Sequence, residues 1–225
     1  MRIINRYTSM RMRRKPNLEA RIDRCAHLLV AQPESMRGRW LDGLPQRALH
    51  IELGCGKGRF TVETAKKEPG IFFVALEKTA NVIVIALERT AKEDLKNVLY
   101  INELADNLPS FFATGEVSRI YINFCDPWPA NRHARRRLSG QRFLELYRKV
   151  LRPGGEIHFK TDDLPLFEFS LNEFERCGFA LQKVTRDLHK HCATGVMTDY
   201  EMKFHEQGIP IYQCVVKDKQ YDDFR

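Results

Sequence analysis

The chain has 225 residues and a mass of 26.3 kDa, which fits one large domain or one domain with an appendage. With 43% hydrophobic and 10% aromatic residues it can bury a full core, and no run approaches the roughly 18 apolar residues of a membrane span. A net charge of +8 and a pI near 9.2 point to a polyanionic partner, without separating RNA from DNA or an anionic membrane.

Residues 1–16 carry Arg2, Arg6, Arg11, Arg13, Arg14 and Lys15 with little apolar pattern and read as a mobile basic arm. A solubilising tail and a nucleic-acid contact explain it equally well. No hydrophobic stretch follows it, so it does not read as a secretory signal. From Asn17 to Val30 the spacing of Leu18, Ile22, Cys25, Ala26, Leu28 and Leu29 predicts a short amphipathic helix. ALHIEL (48–53) reads as a buried strand ending directly in the glycine loop GCGKG. Residues 59–67 are helical in pattern, IFFVALE (71–77) is a second strand, and NVIVIALERTAKED (81–94) a helix despite its β-branched run. NVLYIN (97–102), RIYINF (119–124) and GEIHFKT (155–161) are further strands, with helical stretches at 139–150 and 164–177. IYQCVV (211–216) is a late strand. Apolar strands alternating with amphipathic helices mean βαβ units and a mostly parallel, twisted sheet covered on both faces. The expected architecture is therefore α/β and Rossmann-like, a single domain over residues 17–225.

The six cysteines (25, 55, 125, 177, 192 and 214) form no CxxC pair, which argues against a zinc site or a disulfide framework and for a reducing cytoplasm. His189 and His191 near Cys192 match no zinc spacing either, so no metal is expected.

Ligands of such sheets bind beyond the carboxyl ends of the strands, where strand order reverses. Gly54, Gly56 and Gly58 follow the first strand there, and glycines let the backbone approach a ligand closely. A dinucleotide fingerprint would need a third glycine at position 59, which is Arg59. ELGCGKG has the form ExGxGxG instead, with Glu52 before the loop and Glu77 ending the second strand. Two acids discourage a pyrophosphate and welcome a cationic ligand. S-adenosyl-L-methionine fits, since it has a sulfonium, an ammonium and a ribose diol but no phosphate. A glycine turn used only for tight packing is the competing reading.

NFCDPWPANRHARRRL (123–138) carries the strongest signal. Asp126 ends the fourth strand, and Pro127 and Pro129 restrict the backbone that holds it. Trp128 stacks on a base or packs under the loop, packing being the commoner state. Arg132, His133, Arg135, Arg136 and Arg137 then make a cationic track for phosphates. A turn-capping acid and a solvated charged face are the plain alternatives. Asp162 and Asp163 end the fifth strand, where function and helix capping before LPLFEFSL are equally open.

Taken together, ELGCGKG, ALE (75–77), FCDPWPANRHARRRL, GGEIHFKTDD and TDYEMKF resemble the tRNA (guanine-N7-)-methyltransferases, which modify guanine 46 in the variable loop. The likeness runs from about Arg11 to Lys217, and the DPWP box followed by RHxxRRL is its most specific part. It implies a class I methyltransferase fold with an antiparallel strand near the C-terminus, S-adenosyl-L-methionine as donor and tRNA as acceptor. By position it assigns Glu52, Gly54, Glu77 and Asp126 to the cofactor, with Asp126 also catalytic, and Asp162, Thr198, Asp199, Tyr200 and Glu201 to the substrate guanosine. Two departures stand out. Ala130 replaces a lysine that typically contacts substrate, and Leu104 stands near the adenine where many members have an acid or asparagine. Backbone at Leu104 still reaches adenine in this reading, with Asn102, Asp106 or Asn107 as the polar group. The alternative is a non-catalytic RNA-binding protein retaining the fold, against which the intact Glu52, Glu77 and Asp126 argue. Monomer and homodimer are both open.

Overall fold

The computed structural model describes residues 15–191 and 195–219. The expected basic arm falls outside them except for Lys15 and Pro16, as does Cys192. In chain order the elements are α1 (Leu18–Arg24), β1 (Ala48–Leu53), α2 (Arg59–Lys67), β2 (Ile71–Leu76), α3 (Ala80–Lys92) and β3 (Val98–Ile101). After a short α4 (Leu108–Phe111) come β4 (Val117–Asn123), α5 (Gln141–Val150), β5 (Leu151–Thr161) and α6 (Leu164–Arg176). The chain closes with β6 (Phe179–Thr185), a single turn α7 (Leu188–His191), α8 (Asp199–Glu206) and β7 (Tyr212–Asp218).

The seven strands lie in the order β3-β2-β1-β4-β5-β7-β6. β1 to β5 are mutually parallel, and β7 runs antiparallel to both of its neighbours. The central strands read as unbroken apolar runs because each face is covered. Leu49, Ile51, Val74, Ile120, Ile122, Ile157 and Phe159 pack against residues of α4, α5 and α6. On the opposite face Phe73, Ala75, Tyr100 and Tyr121 meet Phe60, Ala65, Ile83, Ala86 and Leu87 of α2 and α3. The order reverses at β1, whose successors lie on opposite sides, so the crevice forms at the carboxyl end between β1 and β4.

One local expectation differs from what forms, and one strand has no counterpart among the expected elements. The first helix stops at Arg24 and gives way to a 3-10 turn (Ala26–Leu28). Leu29 then bridges to Tyr100, and the Val30 N–H donates to the Tyr100 carbonyl at 2.9 Å. Covering the free edge of β3 outcompetes another helical turn. β6 carries no strand signal in its sequence because FALQKVT lies at the opposite edge, where polar side chains face solvent and the apolar alternation is lost.

Candidate active site at the carboxyl end of the sheet

The glycine loop is fastened to the second strand by its own backbone. The N–H groups of Gly54 and Cys55 both donate to the Leu76 carbonyl, at 2.8 and 3.0 Å. Gly54, Gly56 and Gly58 all have left-handed φ, of 74°, 58° and 75°. A Cβ added at Gly54 or Gly56 would meet no protein atom within 4 Å, whereas at Gly58 it would lie 2.5 Å from the Cβ of Ala86. The packing reading of the loop therefore applies at Gly58, and the space that the ligand reading requires lies at Gly54 and Gly56. Gly58 lets α2 close on α3, and the first two leave an open cradle.

Of the two acids, only one faces that cradle. Glu52 is 2% exposed and lies beneath the loop. It accepts from the Asn123 amide at 3.0 Å and from the Thr61 hydroxyl, tying β1 to β4 and α2. Burial lifts its carboxyl above the ordinary glutamate value, and these two hydrogen bonds pull against that rise. Glu77 is half-buried at the rim, accepting from the Gly56 N–H at 3.3 Å and the Thr79 N–H at 2.9 Å. Asn102 donates to the Glu77 carbonyl at 2.7 Å and extends the chain of contacts to the end of β3. Leu104 is exposed beside it, and Asp106 is engaged by Arg142.

The loop after β4 is built under strain. Phe124 and Trp128 have φ of 54° and 44°, a region that costs a bulky residue roughly 1–3 kcal/mol. Between them Asp126 stands exposed, its carboxylate 3.8 Å from the Lys78 ammonium. Burial and the neighbouring Asp126 charge push the Cys125 thiol up to about 12, so it stays protonated. Trp128 is half-buried, with the Arg136 guanidinium 4.8 Å from its ring centroid and His133 meeting it edge-on at 5.6 Å. The tryptophan is thus not fully buried under the loop, and its ring is contacted by the arginine run that follows it. Arg137 does not join the track. It is buried, donating to the carbonyls of Pro127 and Trp128 from beneath the loop. Arg132 and Arg135 remain exposed.

The segment assigned to the guanosine is held more tightly than its sequence indicates. Thr198 and Glu201 cap α8 reciprocally: the Glu201 N–H donates to the Thr198 hydroxyl at 2.9 Å, and the Thr198 N–H to the Glu201 carboxylate at 3.3 Å. Glu201 is 1% exposed and pairs with Lys160 at 2.7 Å, with His189 at 3.2 Å on its other oxygen. Asp199 receives two bonds from Arg89, at 2.7 and 3.3 Å, with Arg59 at 3.9 Å. Tyr200 projects into solvent, 65% exposed. At the end of β5, Asp163 takes the capping role, accepting from the Leu166 N–H at 2.7 Å, while Asp162 lies half-buried before it.

The structure thus gathers Gly54, Gly56, Glu77 and Asp126 at one rim and sends Glu52, Arg137 and Glu201 inward. Lys78, Asn123 and Lys160 were not singled out from the sequence. A lysine inside the apolar run GEIHFKT was a readable sign, since lysine is almost never fully buried without a partner. Among the described residues, no group of His, Cys, Asp and Glu could hold a metal ion, and no helix is long and apolar enough to cross a membrane.

A sheet of this order with one reversed strand, a glycine loop over a buried acid and a second acid at the next strand end defines a class I methyltransferase fold. The chain matches the family described as "Putative methyltransferase" over residues 46–214. It is also 45% identical over 210 residues to a tRNA (guanine-N(7)-)-methyltransferase of Geobacillus sp. (strain WCH70), covering 92% of this chain and 96% of that one. The chain belongs to the tRNA (guanine-N(7)-)-methyltransferase family. Solved structures share its fold at much lower identity. The 16S rRNA methyltransferase KamB superposes with a TM-score of 0.58 at 17% identity, covering 76% of this chain and 87% of that one. A geranyl diphosphate methyltransferase does so with 0.52 at 15%, covering 81% and 74%.

Proposed function

We propose that this chain transfers a methyl group from S-adenosyl-L-methionine to N7 of guanine 46 in the variable loop of tRNA. The observation that carries the reading is one rim where an open glycine cradle, an exposed Asp126 on a proline-flanked loop, and exposed arginines on the 3-10 turn that follows (Asn131–Arg136) meet. Position 46 is supported by the resemblance of the DPWP–RHxxRRL segment to its family. The cradle suits the donor: backbone at Gly54 and Gly56 would line it, Glu77 would take its ribose hydroxyls, and the Asn102–Leu104 stretch would flank its adenine. When bound, the donor supplies a methyl group activated by a sulfonium.

Guanine N7 offers an exposed lone pair, so the chain needs no general base. Its residues have to stop the purine rotating and hold N7 in line, a task that can supply about 7–11 kcal/mol of a barrier. The N1–H and exocyclic amino group of guanine are both donors, so carboxylates are the natural clamp, with Asp126 and Asp162 at the rim as the candidates. An acid there also stabilises the positive charge that develops on the base. In this reading Thr198, Asp199 and Glu201 act through their caps and ion pairs, which set α8 so that Tyr200 is presented outward. Arg132, Arg135, Arg136 and His133 face the RNA, and the expected setting is the cytoplasm.

The test is incubation of purified protein with methyl-labelled donor and unmodified tRNA, followed by mapping of N7-methylguanosine. The expected product is a single modified site at position 46. Donor binding without any such product would overturn the proposal. It would also favour the rival reading of a non-catalytic RNA-binding subunit, which rests on Leu104 and Ala130.

A further inference from the structure

Arg137 differs from the rest of the arginine run in what it touches. Its Nε donates to the Pro127 carbonyl at 3.1 Å and its Nη2 to the Trp128 carbonyl at 3.0 Å. Its guanidinium lies 4.3 Å from the centroid of Phe169 on α6, so the fork is backed by an aromatic ring and cannot swing away. The two carbonyls it holds are the next after Asp126 in the chain, and the second belongs to a tryptophan in the left-handed region. Such a backbone relaxes unless its surroundings over-determine it. A planar guanidinium with fixed donor directions does this, and a lysine ammonium, a single point charge, does it less well. Arg136 and His133 contact the same indole, at 4.8 and 5.6 Å from its centroid.

We propose that Arg137 is a positioning residue for methyl transfer. It fixes Asp126 at the rim by locking the Pro127–Trp128 backbone, and it takes no part in holding RNA. The proposal rests on the methyl-transfer reading above, and it separates one arginine from its neighbours in kind.

The deciding variant is Arg137→Met, which keeps an apolar side chain against Phe169 and removes the donors. Its kcat should fall about 100-fold, the scale of loss that a 1 Å misplacement near the chemistry brings. The KM for tRNA and the salt dependence of RNA binding should stay as they were, whereas a lost phosphate contact would lower the salt slope by about 0.7–0.9. Arg137→Lys should recover part of the rate. Placed in an Asp126→Ala background, Arg137→Met should cost no more than about twofold further, because both changes act through one carboxylate.

One readout is independent of turnover. Trp40 is 1% exposed, so an increase in acrylamide quenching of tryptophan fluorescence in Arg137→Met, at an unchanged unfolding midpoint, reports release of Trp128. Failure of the function proposal would silence the kinetics but leave this signal. A multiplying effect with Asp126→Ala, a flattened salt slope, or unchanged quenching would each overturn the positioning role. If Arg137→Met does not fold, Arg137→Lys carries the same comparisons, with a partial rate loss and partial quenching expected.

Discussion

An alanine at Gly58 would set its Cβ 2.5 Å from the Ala86 Cβ and 2.9 Å from the Ala86 Cα, on a backbone with φ of 75°. Neither neighbour is the end of a flexible side chain, so the helices themselves would have to part. Gly56 has the same backbone sign but faces open space. The two positions should therefore fail differently. Gly58→Ala should lose about 3 kcal/mol of stability, combining overpacking with the left-handed penalty. Gly56→Ala should lose about 1 kcal/mol, and its larger effect should be weaker donor binding. Urea unfolding and calorimetric titration of S-adenosyl-L-methionine would measure both. Equal stability losses would mean that the loop packs as one unit and has no open cradle.

At the scale of strands, one row of side chains crosses the sheet on the α2 face: His50 of β1, Arg119 of β4, Glu156 of β5 and Lys217 of β7 are register partners in turn. His158 lies in the next row and bonds Glu156 at 2.8 Å. Burial, with the Arg119 charge behind it, lowers His50 to about 3, and burial lowers His158 to about 4. Both fall below the ordinary 6.5, so the unfolded chain binds more protons than the folded one between those limits. Their contribution is intact above pH 6.5 and is lost as the pH falls, toward 4 for His158 and toward 3 for His50. Stability should thus drop by up to roughly 2.7 kcal/mol per pH unit, two protons' worth, in the middle of that window. Urea titrations at stepped pH should show it, and His50→Leu should remove about 1.4 kcal/mol per unit of the slope; an unaltered slope would clear His50. This row also shows what sequence can and cannot carry. The apolar runs of β1 to β5 and the helix at 59–67 are legible because burial on both faces leaves a continuous pattern. α8 is capped by Thr198 and Glu201, a T-x-x-E signal that was there to be read. The glycine loop and the proline-flanked Asp126 are legible because local backbone demands write them into the chain. The inward turn of Glu52, Glu201 and Arg137 is not, because it depends on partners 71, 41 and 9–10 residues away in sequence.

For the molecule as a whole, the fold leaves the acceptor open. Solved relatives in shape include an rRNA methyltransferase and a geranyl diphosphate methyltransferase, so the choice must lie in the surface around the rim. The formal charge of +8 overstates that surface. Arg21, Arg89, Arg119 and Arg148 are each committed to a carboxylate, and Arg137 to backbone. The arginines of the run that stay exposed beside the Asp126 loop are Arg132, Arg135 and, stacked on Trp128, Arg136. Arg47 is equally exposed but precedes β1, at the amino end of the sheet and the far side from the crevice. If charge location and not total charge governs binding, replacing Arg132 and Arg135 together by alanine should lower the slope of log affinity against log salt by about 1.4–1.8. Arg47→Ala should leave it unchanged, although it removes a full unit of charge. Fluorescence polarisation of labelled tRNA between 50 and 200 mM salt spans the range in which such slopes are steep. Equal losses from the two replacements would mean that the protein meets RNA as a diffuse cation, and that the arginine run is no more than a solvated face.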